Sequence, residues 1–146
     1  MLRHLLLVFL LVPAGGASSD QESDLQSLDE LSKGEVYSAE NDPDGKGRTH
    51  VPILGSLNNG RVATIIVPRD GVHQIWATDQ NDVEIFHQEF GHDRRQQLSA
   101  PAAQGSFEVP DGVTHVTLWA HCNLHGLWKS AERAVHKYDP PVEHEL

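Results

Sequence analysis

The chain contains one cysteine, and it lies close to a histidine. Cys122 and His125 are three residues apart in the run Ala120–Trp128, and Gly126 follows them as a residue that can close a turn. A thiolate and an imidazole this close in sequence are donors that can bind one transition metal ion together. A lone cysteine is also common as a small buried apolar residue. The rest of the sequence has to decide between a metal ligand and a core residue.

The composition excludes two classes of partner. The 146 residues include 21 acidic and 11 basic side chains, which gives a formal net charge of −10. Nucleic acid and anionic membrane surfaces repel so acidic a chain, and we expect neither as a partner. One cysteine cannot form an intramolecular disulfide. If the protein is exported to an oxidising compartment, metal ligation is one reason why it would keep a thiol.

The first 17 residues have the pattern of an export signal. Arg3 precedes the apolar run Leu5–Val12, and the small residues up to Ala17 suit a cleavage site. The apolar run is too short to span a bilayer. We therefore predict a signal peptide over 1–17, no membrane span, and a periplasmic or secreted protein.

The remaining sequence divides into three parts. Residues 18–48 are polar and acidic and predict a leader or linker, with one short helix in Asp24–Lys33 where leucines recur at helical spacing. Residues 49–130 form the predicted domain. Residues 131–146 form a polar C-terminal tail.

Short β-type runs separated by turn residues fill the predicted domain. They are Val51–Leu54, Arg61–Val67, Val72–Thr78, Val83–Phe90, Ser106–Val109 and Val113–His121. About seven strands with little helix predict an all-β fold, an antiparallel β-sandwich. Cys122 shares the phase of the apolar residues of the last run, so we expect it to point into the core and His121 to point away.

Three motifs of the domain resemble those of one known family. They are His50-Val51-Pro52-Ile53, the segment Pro68–Ile75 with His73 near its end, and Cys122-Asn123-Leu124-His125-Gly126-Leu127-Trp128. In this order and spacing they resemble the superoxide reductase domain, also called neelaredoxin or the catalytic domain of desulfoferrodoxin. The match runs from about 48 to 129. The resemblance implies an immunoglobulin-like sandwich of seven strands.

The resemblance also implies a mononuclear, non-haem iron site. In the family, four equatorial histidines and one axial cysteinate hold the iron and leave a sixth position open for superoxide. Carried over residue by residue, the metal ligands are His50, His73, Cys122 and His125. The thiolate favours electron transfer to the bound oxidant, which makes Cys122 a catalytic residue as well.

Two family residues are missing from this chain. One equatorial histidine falls on Val67, and Arg48-Thr49 stands where the family has a Glu-Lys pair. Arg48 is then the cation expected to attract superoxide, in a catalytic role. A replacement for the missing ligand could come from water or from another histidine, of which His87, His92 and His121 are the candidates.

The resemblance implies reduction of superoxide, or another small oxidant, to peroxide, with electrons from a donor protein. An alternative is a non-enzymatic electron-transfer protein that binds copper or iron, because a cysteine and two or three histidines on a β-sandwich also suit copper. A further alternative is a domain that has lost its metal and serves in binding. Assembly into a homo-oligomer stays open.

Overall fold

The computed structural model describes residues 25–58, 61–68, 71–90 and 102–135. The predicted signal peptide, His92 and most of the predicted tail lie outside these residues. The described ranges hold two short helices, α1 (Leu28–Leu31) and α2 (Gly47–His50). Neither is long or apolar enough to span a membrane.

Nine strands are found in the same ranges. They are β1 (Val36–Tyr37), β2 (Ile53–Asn58), β3 (Val62–Val67), β4 (Val72–Asp79), β5 (Glu84–Glu89), β6 (Ala103–Glu108), β7 (His115–Cys122), β8 (Gly126–Lys129) and β9 (Arg133–Ala134). They form a large sheet in the order β1-β8-β7-β4-β5, with β9 also paired to β7, and a small sheet in the order β2-β3-β6. The predicted all-β sandwich is confirmed.

The main core lies between the two sheets. Along β7 the side chains alternate between partly exposed and buried, and Leu118, Ala120 and Cys122 belong to the buried set. The expected inward phase of Cys122 is confirmed, since only 2% of the residue is exposed. Residues of β3 such as Ile65 meet this set from the small sheet.

A second, smaller core covers the outer face of the large sheet. Strand β4 is buried on both sides, so Ile75 faces the main core and Trp76, the next residue, faces away from it. Leu28 of α1 and Leu127 of β8 pack with Trp76 there.

This second core changes the interpretation of the segment 18–48. In its described part, β1 pairs with β8 in parallel, with Val36 opposite Leu127 and Tyr37 opposite Trp128. Residues 25–48 therefore pack on the sandwich instead of forming only a linker. At the other end, β9 adds residues 133–134, from the predicted tail, to the large sheet.

Candidate metal centre

Asp42 builds the turn that leads into α2. Its carboxylate accepts hydrogen bonds from the backbone N–H groups of Lys46 at 2.9 Å and Gly47 at 2.6 Å. The bond from Gly47 is the main reason why the pKa of Asp42 is lowered below its ordinary value, while burial acts in the opposite direction. Asp42 therefore stays ionised and fixes the start of the helix that carries His50.

His50 ends α2 with its imidazole fully buried. Its Nδ1 lies 2.9 Å from the backbone oxygen of Lys46 and 3.0 Å from Oγ1 of Thr49, whose hydroxyl also contacts the Lys46 oxygen at 3.1 Å. A carbonyl oxygen only accepts hydrogen bonds, so Nδ1 carries the hydrogen and the buried Nε2 carries the lone pair. Metal-bound histidines are typically held in one tautomer in this way.

Cys122 and His125 lie at the two ends of one tight turn. Strand β7 ends at Cys122, the N–H of His125 donates to the Cys122 oxygen at 3.2 Å, and β8 begins at Gly126. Gly126 has a φ of +75°, which a residue with a side chain rarely adopts. The indole Nε1–H of Trp128 donates to the backbone oxygen of His125 at 2.8 Å and so stabilises the turn.

His73 lies beside Cys122 because of an irregularity in the large sheet. Val72 is opposite Cys122 and Gln74 is opposite His121, so His73 is an extra residue between two regular pairs. His73 is buried, and its backbone oxygen accepts a hydrogen bond from the N–H of Phe90 at 2.8 Å.

His121 lies close enough to His73 for the two rings to interact electrostatically. Burial is the main cause that lowers the pKa of His121, and the charge of His73 lowers it further. The Nδ1 atom of His121 is buried and makes no hydrogen bond to any residue that the structure describes. His121 points away from Cys122, as expected from the strand phase, yet it shares an environment with another predicted ligand.

The predicted ligands therefore come from three parts of the chain: the end of α2, the start of β4 and the β7–β8 turn. The structure brings His50 and His125 together, with ring centroids 4.8 Å apart in an edge-to-face contact. Cys122 is joined to His125 by the turn and to His73 by the strand register. No three His, Cys, Asp or Glu side chains of the described ranges are arranged as a group that could hold a metal ion. Convergence of all four donors on one point remains a prediction.

The chemistry of these donors suits a transition metal. Cys122 is a thiol with almost no exposed surface. His50 presents Nε2 as its lone-pair atom, and the ring of His125 contacts the ring of His50. A sulfur donor with two or three imidazoles is a set that iron and copper both accept. The residues present therefore fit the implied metal in donor type, and His50 also does so in tautomer.

Lys46 and Arg48 are cations that lie four and two residues before His50. Arg48 is exposed on α2 and makes no ion pair with a described residue. A cavity of about 230 Å³ lies beside His125 and Trp128, and Lys46 contributes to its wall whereas Arg48 does not. The Nζ of Lys46 is 2.8 Å from Oδ2 of Asp44, which offsets its charge. Sequence reasoning overlooked Lys46, although it lies four residues before His50.

Val67 and His87 lie in two different environments. Val67 is fully buried in the same apolar cluster as Cys122. The ring of His87 stacks on Trp76 at 5.1 Å, and its Nε2 lies 3.0 Å from Oε1 of Gln74. These contacts give His87 a packing role on the outer face of the large sheet.

Neither a protein-family model nor a curated protein matches the chain. Superoxide reductases are among the solved structures similar to it. The superoxide reductase (1Fe-SOR) from Giardia intestinalis is 20% identical, with 59% of this chain and 97% of that chain covered and a TM-score of 0.43. The superoxide reductase (neelaredoxin) from Ignicoccus hospitalis is 15% identical, with 75% and 98% covered and a TM-score of 0.47. That from Treponema pallidum is 18% identical, with 60% and 70% covered and a TM-score of 0.42. The resemblance predicted from the motifs is thus found among solved structures as well.

Proposed function

We propose that His50, His73, Cys122 and His125 hold one mononuclear, non-haem iron ion and that the protein reduces superoxide to hydrogen peroxide. The observation that supports this most is the hydrogen bond from Nδ1 of His50 to the Lys46 oxygen, at 2.9 Å. It selects the tautomer that a metal ligand needs, in a side chain that is completely buried. The contact between His50 and His125 places a second imidazole at the same corner.

The residues of the chain divide the work of this reaction. When bound, the iron supplies the one electron that, with two protons, converts superoxide to hydrogen peroxide. Cys122 contributes a thiolate in a nearly water-free position, where the charge of a sulfur ligand is poorly screened. Arg48 attracts the anion, because its charge is not offset by an ion pair with a described residue.

The proposed reaction needs an electron donor and a compartment. We infer a donor protein as the partner, since the iron must be reduced again after each superoxide. The pattern of residues 1–17 supports export, so the protein would act in the periplasm or outside the cell.

Rapid mixing of the reduced, iron-loaded full chain with superoxide tests the proposed reaction. We expect the iron to be oxidised much faster than by dioxygen alone, with one hydrogen peroxide formed for each superoxide consumed. Cys122→Ser, which replaces sulfur by oxygen at similar size, should lose this fast phase. Oxidation no faster than by dioxygen would contradict superoxide reduction. If copper-loaded protein then exchanged electrons with a donor, the electron-transfer function would replace it.

A further inference from the structure

Four aromatic rings form a continuous row from His125, a proposed metal ligand, to Tyr37 near the surface. The ring centroids are 4.8 Å apart between His125 and His50, 4.9 Å between His50 and Trp128, and 5.1 Å between Trp128 and Tyr37. We call this row the ring chain. Its members come from β1, α2, the β7–β8 turn and β8, so only the folded chain assembles it. Rings at these separations are in direct contact. Single electrons pass readily between aromatic side chains in contact.

The outer end of the ring chain has a proton acceptor. The hydroxyl of Tyr37 donates to Oε2 of Glu35 at 2.9 Å, and Glu35 is exposed. This hydrogen bond is the main cause that raises the pKa of Tyr37 above its ordinary value. Tyr37 is therefore a protonated phenol at neutral pH, held against a carboxylate that can take its proton.

The inner tryptophan has no such acceptor. The Nε1–H of Trp128 donates to the backbone oxygen of His125 at 2.8 Å. A peptide oxygen is a very weak base, so an oxidised Trp128 indole keeps its proton and remains a strong oxidant. Transfer of an electron from Tyr37 to the oxidised Trp128 indole is then favourable in free energy. Tyr37 can release its proton to the carboxylate of Glu35 as it loses the electron, whereas Trp128 has a peptide oxygen as its hydrogen-bond partner.

We propose that Trp128 and Tyr37 carry oxidising equivalents away from the His50–His125 corner to the protein surface. This inference rests on the proposed function, whose product is hydrogen peroxide. A reduced iron ion, if present, would give one electron to hydrogen peroxide, become ferric, and cleave the O–O bond into one hydroxide and one hydroxyl radical. A hydroxyl radical that takes one electron from Trp128 becomes hydroxide. Tyr37 then returns one electron to the Trp128 indole and gives its proton to Glu35, which leaves a neutral indole and a tyrosine phenoxyl radical. A soluble thiol that donates a hydrogen atom restores Tyr37.

Flash photoionisation of the indoles in the metal-free full chain tests the transfer without any metal. The chain has two tyrosines and three tryptophans, so Tyr138→Phe serves as the parent and leaves Tyr37 as the only phenol. We expect the indole radical absorption to convert into phenoxyl absorption in a first-order step that is independent of protein concentration. Glu35→Gln should slow this step several-fold, because the proton acceptor is removed.

Three further variants decide whether the ring chain is the route. Tyr37→Phe removes only a hydroxyl and should abolish the phenoxyl signal, and Trp128→Phe should lose most of it. Trp119→Phe is the matched control and should keep it, since the Nε1–H of Trp119 donates to Oγ1 of Thr78 and the ring of Tyr37 packs on Trp128 instead. Equal phenoxyl yields from the parent and from Trp128→Phe, or none from the parent, would overturn the route. Tyr37→Phe keeps this test decisive if Trp128→Phe does not fold.

The protective role has a separate measurement. Iron-loaded parent and Tyr37→Phe are treated with hydrogen peroxide, and oxidation of the peptide that contains Trp128 is measured by mass spectrometry. We expect more oxidised Trp128 in Tyr37→Phe, because the oxidising equivalent on Trp128 can no longer pass to residue 37. Equal oxidation would overturn the protective role. A failure of the proposed superoxide reduction would leave the metal-free photoionisation result unchanged, so the two failures are distinguishable.

Discussion

His50 shows how the backbone can fix the tautomer of a single side chain. Asp42 fixes the turn before α2, α2 brings the Lys46 oxygen to Nδ1 of His50, and that oxygen determines the tautomer. None of these contacts is visible as a ligand signal in the sequence, because they arise from the turn geometry. The motif alone predicted His50 as a ligand, and the structure adds a physical reason for it.

Val67 gives a prediction at the same scale. Val67→His places an imidazole in a fully buried apolar position, so the metal-free variant should lose about 2 kcal/mol of unfolding free energy. If position 67 faces the metal, iron should restore stability and bind more tightly, which thermal unfolding with and without iron measures.

Ile65→His is the matched control for Val67→His. Ile65 lies two residues earlier on β3 and is also fully buried in the same cluster, so its variant pays a similar burial cost. We expect no recovery with iron in this control. Equal responses of the two variants to iron would contradict a position for Val67 beside the metal.

The prediction of single residues from sequence succeeded where it depended on local alternation. Cys122 points inward and His121 points outward because neighbours in a strand alternate, and that pattern is readable in one strand. The irregularity at His73 depends on the register between β4 and β7. That register cannot be inferred from the sequence of one strand alone. The shared environment of His73 and His121 was therefore unpredictable.

At the scale of elements, α1 was easier to predict than β1. The helix was expected from leucine spacing, and its start has a capping box in which Ser27 and Glu30 bond each other's backbone N–H groups. Strand β1 has two residues, too few to show any alternation, and it forms only because β8 offers a free edge. A polar composition gave no sign of this pairing.

Leu28→Ala tests whether this segment is part of the folded domain. Leu28 is buried against Trp76 and Leu127, so its truncation should lower the unfolding free energy by about 2 kcal/mol. Leu31→Ala, at a partly buried position of the same helix, should cost less. Chemical denaturation of the full chain measures both. Parent stability in Leu28→Ala would mean that α1 adds nothing to the fold.

At the scale of the whole molecule, the acidic charge opposes the proposed substrate. The chain carries a formal charge of −10, which repels superoxide over a distance set by the ionic strength. In the proposed reaction Arg48, which makes no ion pair with a described residue, offsets this repulsion locally, whereas Lys46 is held by Asp44. We therefore expect attraction of the anion to depend on Arg48 more than on Lys46.

Ionic strength separates the local charge from the overall field. Arg48→Ala should react more slowly with superoxide than the parent at low salt, and the ratio of the two rates should approach one as the Debye length falls from about 10 Å at 0.1 M to about 3 Å at 1 M. Lys46→Ala is the comparison variant and should change the rate less. Equal rates of the parent and Arg48→Ala at low salt would show that Arg48 does not steer the anion.

In the proposed site, Cys122 and the imidazoles of His50, His73 and His125 hold one metal ion. X-ray absorption spectroscopy of the iron-loaded full chain measures the donors directly. We expect one metal ion per chain, one sulfur at about 2.3 Å and nitrogen donors near 2.1 Å, close to the bond lengths of comparable metal sites. Cys122→Ser should lose the sulfur, and His50→Ala should lose a nitrogen donor and bind iron more weakly. A spectrum without sulfur, or one identical in the parent and in Cys122→Ser, would contradict the account.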